Sequence, residues 1–204
     1  MENMTPIQIR IVAAALSIAL GSFGCTESTR RSTDDQNRSG TIAPTKRMAD
    51  GKVWMTSNLN VYASSSFCYD DVETNCRRYG RLYTWSAAQQ ACPSLGDGWR
   101  LPTDDEWRQM AKYYGGVSAD SADEGKAAFE ALRSGGTSDF NAMLGGNRSE
   151  GRYARLEAHG FYWTASDNDP DSAPFYNFGQ NGQALHRQPQ GEKLMAISVR
   201  CVRQ

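Results

Sequence analysis

Side chains suited to ligand recognition gather in the last quarter of the sequence. Tyr162, Asn168, Asn177, Asn181, His186 and Arg187 fall there in segments patterned as strands and turns. Aromatic faces beside adaptable amides are the composition of recognition surfaces. The same set suits carbohydrate, by stacking on a sugar ring and hydrogen bonding to its hydroxyls. Next to them runs Asp167-Asn168-Asp169-Pro170-Asp171. Carboxylate and amide oxygens at that density suit Ca²⁺, a hard cation. Asp, Asn and Pro at that density also make ordinary turns. Calcium held by Asp167, Asn168 and Asp169 is therefore one expectation and a plain turn is the other; no further cofactor is implied.

Patterns of catalysis are missing. The sequence contains no G-x-S-x-G, H-E-x-x-H, C-x-x-C or P-loop. Its two histidines, His159 and His186, lack metal-ligand spacing. Carboxylates are plentiful, but Asp104, Asp105 and Glu106 have a simpler role. Acidic residues in a first helical turn complement the helix dipole by about 0.3–1 kcal/mol each. A net charge of −1 gives bulk electrostatics no hold on nucleic acid or an anionic membrane.

These groups need elements to position them. Thr103-Asp104-Asp105-Glu106 fits the S/T-x-x-E capping box. Trp107, Met110, Ala111 and Tyr114 follow at helical spacing, and Gly115-Gly116 ends the run. The spacing predicts a capped amphipathic helix that is scaffold, with Trp99, Leu101 and Trp107 as core anchors. "RLYTWSAAQQAC" begins extended and becomes a short helix. Ser121-Ala122-Asp123-Glu124 offers a second capping box before Phe129 and Leu132. "SSSFCYDDVETNC" has the composition of a loop. Later segments change character: "GFYWTAS" is a strand, and "FYNFGQNGQALHR" a hairpin with Asn181-Gly182 as a type I′ turn. Asn177 and Arg187 are expected to face solvent and Tyr176 the core. In "MAISVRCV" the alternation of Met195, Ile197, Val199 and Cys201 is that of a half-buried strand. Helices first and antiparallel strands last make an α+β domain.

The N-terminus has the pattern of export. Arg10 precedes a ten-residue apolar run from Ile11 to Leu20, too short to span a bilayer, which needs about 20 residues, but suited to a signal h-region. Gly24-Cys25 after that run matches a bacterial lipobox in its small residue and cysteine. The expected organisation is a signal peptide over 1–24, a polar tether over 25–45 lipidated at Cys25, and a folded domain over 46–204. The tether has too few apolar residues to offset its ordering entropy. Four further cysteines, Cys68, Cys76, Cys92 and Cys201, suggest two disulfides in an exported chain. Three connectivities are open to them. Cys68 and Cys76 share one polar loop and can close locally, which leaves Cys92 with Cys201.

Five blocks then occur in order: "DGKVWMTSNLN", "YGRLYTWSAAQQACP", "GWRLPTDDEW", "GFYWTAS" and "SVRCVR". Together they resemble the Fibrobacter succinogenes major paralogous domain, found in exported proteins and lipoproteins of Bacteroidetes and related bacteria. "RLPTDDEW" and "RCVR" also resemble formylglycine-generating enzymes, which have a C-type-lectin-like fold. The resemblance implies two or three short helices and a small twisted antiparallel sheet, with the first and last segments side by side. A Cys92–Cys201 bridge suits that arrangement. The enzymes' copper-binding cysteine pair is reduced here to Cys201, and the iron-binding histidines of related sulfoxide synthases have no counterpart, so enzyme activity is not implied. C-type-lectin-like domains also serve as hypervariable proteins of diversity-generating retroelements, with variable positions near the C-terminus.

The expected protein is thus a lipid-anchored surface module of the cell envelope that binds a glycan or a protein through its C-terminal loops. Its alternatives are an envelope enzyme using carboxylates and a structural envelope protein.

Overall fold

β1 (Thr45–Arg47) and β10 (Val202–Arg203) flank β2 (Val53–Met55), both antiparallel to it, with Val202 opposite Trp54. The first and last strands of the domain are thus held in one sheet. The computed structural model describes residues 43–204. The expected signal peptide, Cys25 and most of the expected tether lie outside the described residues. β1 takes in Thr45, at the end of the stretch assigned to the tether. The turn between β1 and β2 is closed by Asp50, whose carboxylate accepts hydrogen bonds from Lys52 N (3.1 Å) and Trp54 Nε1 (2.9 Å).

Helical and short extended elements come next: β3 (Ser66–Phe67), α1 (Glu73–Tyr79), β4 (Leu82–Tyr83), α2 (Trp85–Ala91), α3 (Asp104–Lys112) and α4 (Lys126–Leu132). Four helices among the described residues exceed the expected two or three. The additional one is α1, in a stretch whose composition suggested only loop. Its N-cap Val72 provides no side-chain cap, so nothing local announces it. Burial of Cys76 and Tyr79 holds it instead. Cys76 therefore sits on a helix, not in a loop, and bonds to Cys68; Cys92, at the C-cap of α2, bonds to Cys201.

α3 begins as its sequence dictates. Thr103 Oγ1 accepts from Glu106 N (3.2 Å), and Glu106 Oε2 accepts from Thr103 N (2.9 Å). Glu106 also takes the fork of Arg100, at 2.6 Å on each arm. α4 starts differently from expectation. Asp123 caps it, accepting from Gly125 N (3.1 Å) and Ala127 N (2.7 Å). No box forms at Ser121, because Gly125 in the left-handed region (φ 81°) delays the helix to Lys126. A Cβ at Gly125 would lie 2.6 Å from Leu185 O, so glycine also permits this close approach.

Glu106 makes stability pH-dependent. Burial, the largest influence, pushes its carboxyl up, but Arg100, the Thr103 N–H and Lys52 together hold it below the usual carboxylate range. A depressed folded value adds stability above the unfolded value, about 4.3 for Glu, and that stability is lost as pH falls through the folded value. Glu106→Gln should therefore lower the urea midpoint at pH 7 and narrow its deficit against wild type at pH 3. A deficit equally large at both pH values would contradict this account.

The second half is strands. β5 (Asn147–Ser149) pairs with β6 (Arg152–Ala154), and β7 (His159–Trp163), β8 (Ser172–Gly179) and β9 (Ala184–Glu192) form an antiparallel sheet with β8 central. Its two faces meet different cores. Tyr162, Tyr176, Phe178 and Leu185 join Trp54, Trp107, Met110, Phe129 and Phe140 on the α3–α4 side. Trp107 is their centre, stacked on Tyr176 (5.0 Å, 17°) and edge-on to Trp54 (5.1 Å, 68°). Phe161, Trp163 and Phe175 join Met55, Leu59, Tyr83, the α2 alanines, Trp99 and Leu101 on the other side. Trp99, Leu101 and Trp107 are buried, as scaffold residues should be.

The alternating segment near the C-terminus is not half-buried. Ala196 to Val202 are all buried, including Ser198 and Arg200 at 0% exposure. The segment runs between the two cores and makes isolated bridges to Tyr83, Arg148 and Tyr162 before entering β10. Buried on both sides, it has no outward face for its alternate residues.

Candidate ligand-binding face

The hairpin of β8 and β9 is where expected, but its turn differs. Residues 180–183 form a four-residue loop between Gly179 and its partner Ala184. The left-handed conformation falls on Gln183 (φ 46°), not on Asn181 or Gly182, so the turn is not type I′. The loop is still centred between Asn181 and Gly182, which puts Asn177 opposite His186 and Tyr176 opposite Arg187. Side chains alternate faces along a strand. Asn177 and His186 therefore share one face, and Arg187 lies with Tyr176 on the α3 side.

That register corrects two expected ligand residues. Arg187 does not face solvent as a free recognition group. Its guanidinium clamps Asp104 at the start of α3, Nε at 2.8 Å and Nη2 at 2.7 Å from the carboxylate. Tyr176 OH donates to the Asp104 carbonyl beside it (3.0 Å). Asp104 thus does more than complement a helix dipole: it ties α3 to the sheet. Tyr162 is wholly buried, and its hydroxyl is used by Met143, donating to O and accepting from N at 2.7 Å each. Aromatic type alone does not distinguish a stacking platform from a core ring.

Asn168 and Asn181 are exposed but lie far apart. Asn168 sits beside Ser172, where β8 begins, and donates to Pro189 O; Asn181 sits at the loop beyond Gly179, where β8 ends. Eight residues at about 3.3 Å each separate these ends by roughly 25 Å. The six residues therefore do not form one patch. His186 stays on the Asn177 face, but its Nδ1 is 2.7 Å from Ser118 Oγ, which ties β9 to the loop before α4.

Asp167, Asn168 and Asp169 have the geometry of a turn. Asp169 accepts from Asp171 N (2.9 Å), Ser172 N (2.7 Å) and Ser172 Oγ (2.6 Å). Lys193 Nζ reaches both Asp167 Oδ1 and the Asp169 carbonyl, 2.5 Å from each. An ammonium lies among these oxygens, and both carboxylate oxygens of Asp169 already accept hydrogen bonds, so the segment is a turn closed by Lys193.

The face that Asn177 does occupy contains a different set. On β7 and β8, Phe161 is opposite Asn177 and Trp163 opposite Phe175; Phe175 is in turn opposite Gln188 on β9. The second core covers this face at its Trp163 end and leaves it open toward His159. There a hollow of about 350 Å³ is lined by Arg155, His159, Phe161, Phe175, Asn177 and Gln188. Phe161 and Phe175 meet edge to face (5.8 Å, 72°) and form its floor. His159 stacks flat on Phe161 (5.3 Å, 3°), with its Nδ1–H donating to Asn177 Oδ1 (3.0 Å). Arg155 sends its guanidinium carbon to 5.8 Å from the Phe161 ring. A second hollow of about 420 Å³ adjoins it across Arg155 and Phe175.

Sequence reasoning found Asn177 and His186 on this face and missed His159, Phe161, Phe175, Gln188 and Arg155. Pairing arithmetic from the hairpin centre indicates Phe175 and Gln188. Arg155 carries no such signal, since it reaches the face from the turn after β6.

Among the described residues no helix is long and apolar enough to cross a membrane. No curated protein and no solved structure matches the chain. A family model does: the Fibrobacter succinogenes major domain matches residues 48–203, and the chain belongs to that family.

Proposed function

We propose that the protein is an exported, lipid-anchored module of the cell envelope that binds a glycan on the open end of the β7–β8–β9 sheet. The observation that carries this reading is the hollow over Phe161 and Phe175. An apolar floor ringed by imidazole, amide and guanidinium groups is the make-up of a small-ligand site, and its volume falls within the usual range of about 300–1,000 Å³. Binding is favoured over catalysis because the prominent carboxylates serve structure, Asp104 toward Arg187 and Glu106 toward Arg100. The fold is read as C-type-lectin-like. Supporting that reading are the pairing of the first and last strands on β2 and the bridge from α2 to the last segment.

Asn177→Ala with Gln188→Ala should leave melting nearly unchanged, as surface changes usually stay within about 0.5 kcal/mol. The same pair should weaken binding to array-printed glycans at least tenfold, about 1.4 kcal/mol. A glycan held equally well by the double variant would put the site elsewhere, and turnover of a bound glycan would favour an enzyme. The anchor is tested separately. Cys25→Ala should move the protein from membranes to the soluble fraction, and a variant that stays in the membrane would sink the lipoprotein reading.

A further inference from the structure

The second hollow, of about 420 Å³, lies where β6, β9 and the start of the C-terminal segment meet, and Asn147, Arg152, Arg155, Gly191, Glu192 and Met195 help line it. Resting on the glycan reading, we propose that this hollow is a carboxylate subsite of the same face and that the ligand is an acidic glycan containing uronic acid.

Two independent observations point there. Asn147 is only 5% exposed, yet its Oδ1 has no hydrogen-bond partner. An unsatisfied buried acceptor costs stability unless something supplies a donor; Oδ1 is closed to solvent here, so a sugar hydroxyl reaches it only if the lining shifts. Then there are the arginines. Arg152 and Arg155, the two arginines lining the hollow, are exposed and, like Arg47 and Arg77, have no carboxylate within 4.0 Å among the described residues. Arg155 is held in the left-handed region (φ 65°), with its carbonyl accepting from Ala158 N and His159 N. Non-glycine residues reach that region at a cost, and such strain collects at functional positions. Here it plants a guanidinium on the boundary between the hollows.

The chemistry follows. A guanidinium offers a planar fork that matches a carboxylate, and amides at Asn147, Gln188, Gln190 and Asn177 suit hydroxyls. Gly191 keeps the wall open, since a Cβ there would lie 2.5 Å from Phe175 Cδ1. Glu192 is the one acidic side chain lining this hollow, so it repels the same anion that the arginines attract. An acidic peptide is the competing ligand that the test must exclude, because β9 lines this hollow and is the outer strand of its sheet.

The test uses the full chain and an array of galacturonate, glucuronate and mannuronate oligomers, each beside its neutral methyl ester, with poly-glutamate as a further probe. At least tenfold tighter binding to an acid than to its ester is expected. Arg152→Gln and Arg155→Gln should each erase most of that preference, and Glu192→Gln should increase it. Equal binding of acid and ester would overturn the carboxylate subsite while leaving the glycan reading intact. Binding to poly-glutamate alone would overturn the glycan. Binding to neither uronates nor esters would overturn the subsite, and silence across neutral glycans as well would overturn the reading on which it rests.

Discussion

Arg200→Met should lower stability by at least about 3 kcal/mol, because it strands buried acceptors that cost about 1–3 kcal/mol each when unpaired. Arg200 is fully buried among the described residues and has no carboxylate partner. Backbone and amide oxygens satisfy it instead: Asn58 Oδ1 at 2.7 Å, Met55 O at 3.0 Å, Phe140 O at 2.6 Å and Asn141 O at 2.5 Å. The Phe140 ring lies 4.7 Å from its guanidinium carbon. Burial pushes its pKa down, but from so high a value that the group remains a cation. Asn58 then donates onward to Tyr79 O (2.7 Å) and Ser198 Oγ (3.1 Å). One guanidinium thus fastens β2 with the irregular segment after it, the loop after α4 and the C-terminal segment. Methionine has similar length and no donors. Lysine keeps the charge but lacks the fork, so Arg200→Lys should fall between Met and wild type. Urea unfolding of the three proteins checks the order. A Met variant with the wild-type midpoint would mean that these oxygens find other donors at no cost.

The same residue shows where the sequence stopped being informative. Alternation of Met195, Ile197, Val199 and Cys201 is a local signal, and it located an extended segment correctly. It implied that Ser198 and Arg200 point outward. They do not, because their partners come from 59 to 145 positions away in the chain and make a second buried side. Instructions contained within a few residues were legible: Thr103 and Glu106 specify the start of α3, and Asn181-Gly182 marks the centre of the hairpin. α1 was not legible, since packing and a disulfide hold it without any cap. The hairpin centre held more than was taken from it. A loop centred between residues 181 and 182 already places residue 187 across from residue 176, so Arg187 belongs with Tyr176. The hollows themselves were beyond sequence reasoning. Arg155, Asn147 and Gln188 sit on separate elements, and no spacing in the chain reveals that these converge.

Removing the Cys92–Cys201 bridge should cost more than any other crosslink change in this domain. It closes a loop across 109 positions, whereas Cys68–Cys76 closes one across 8. Loop-closure entropy gives about 4.8 kcal/mol for the long loop and about 2.5 kcal/mol for the short one. The difference of about 2.3 kcal/mol comes from loop length alone. Packing adds to it. Cys92 and Cys201 are both wholly buried in the core shared by α2 and the C-terminal segment, so truncation there also leaves a gap. The short bridge fastens α1, which has no cap to hold its start, so its loss should act locally and expose Tyr79. Replacing each pair by alanine avoids a stray thiol. Urea unfolding of the Cys92→Ala, Cys201→Ala protein should then show a midpoint well below that of the Cys68→Ala, Cys76→Ala protein. Should the short-loop variant be the less stable one, the capless α1 would be a keystone of the fold, and the Cys68–Cys76 bridge would be the principal crosslink despite its short loop.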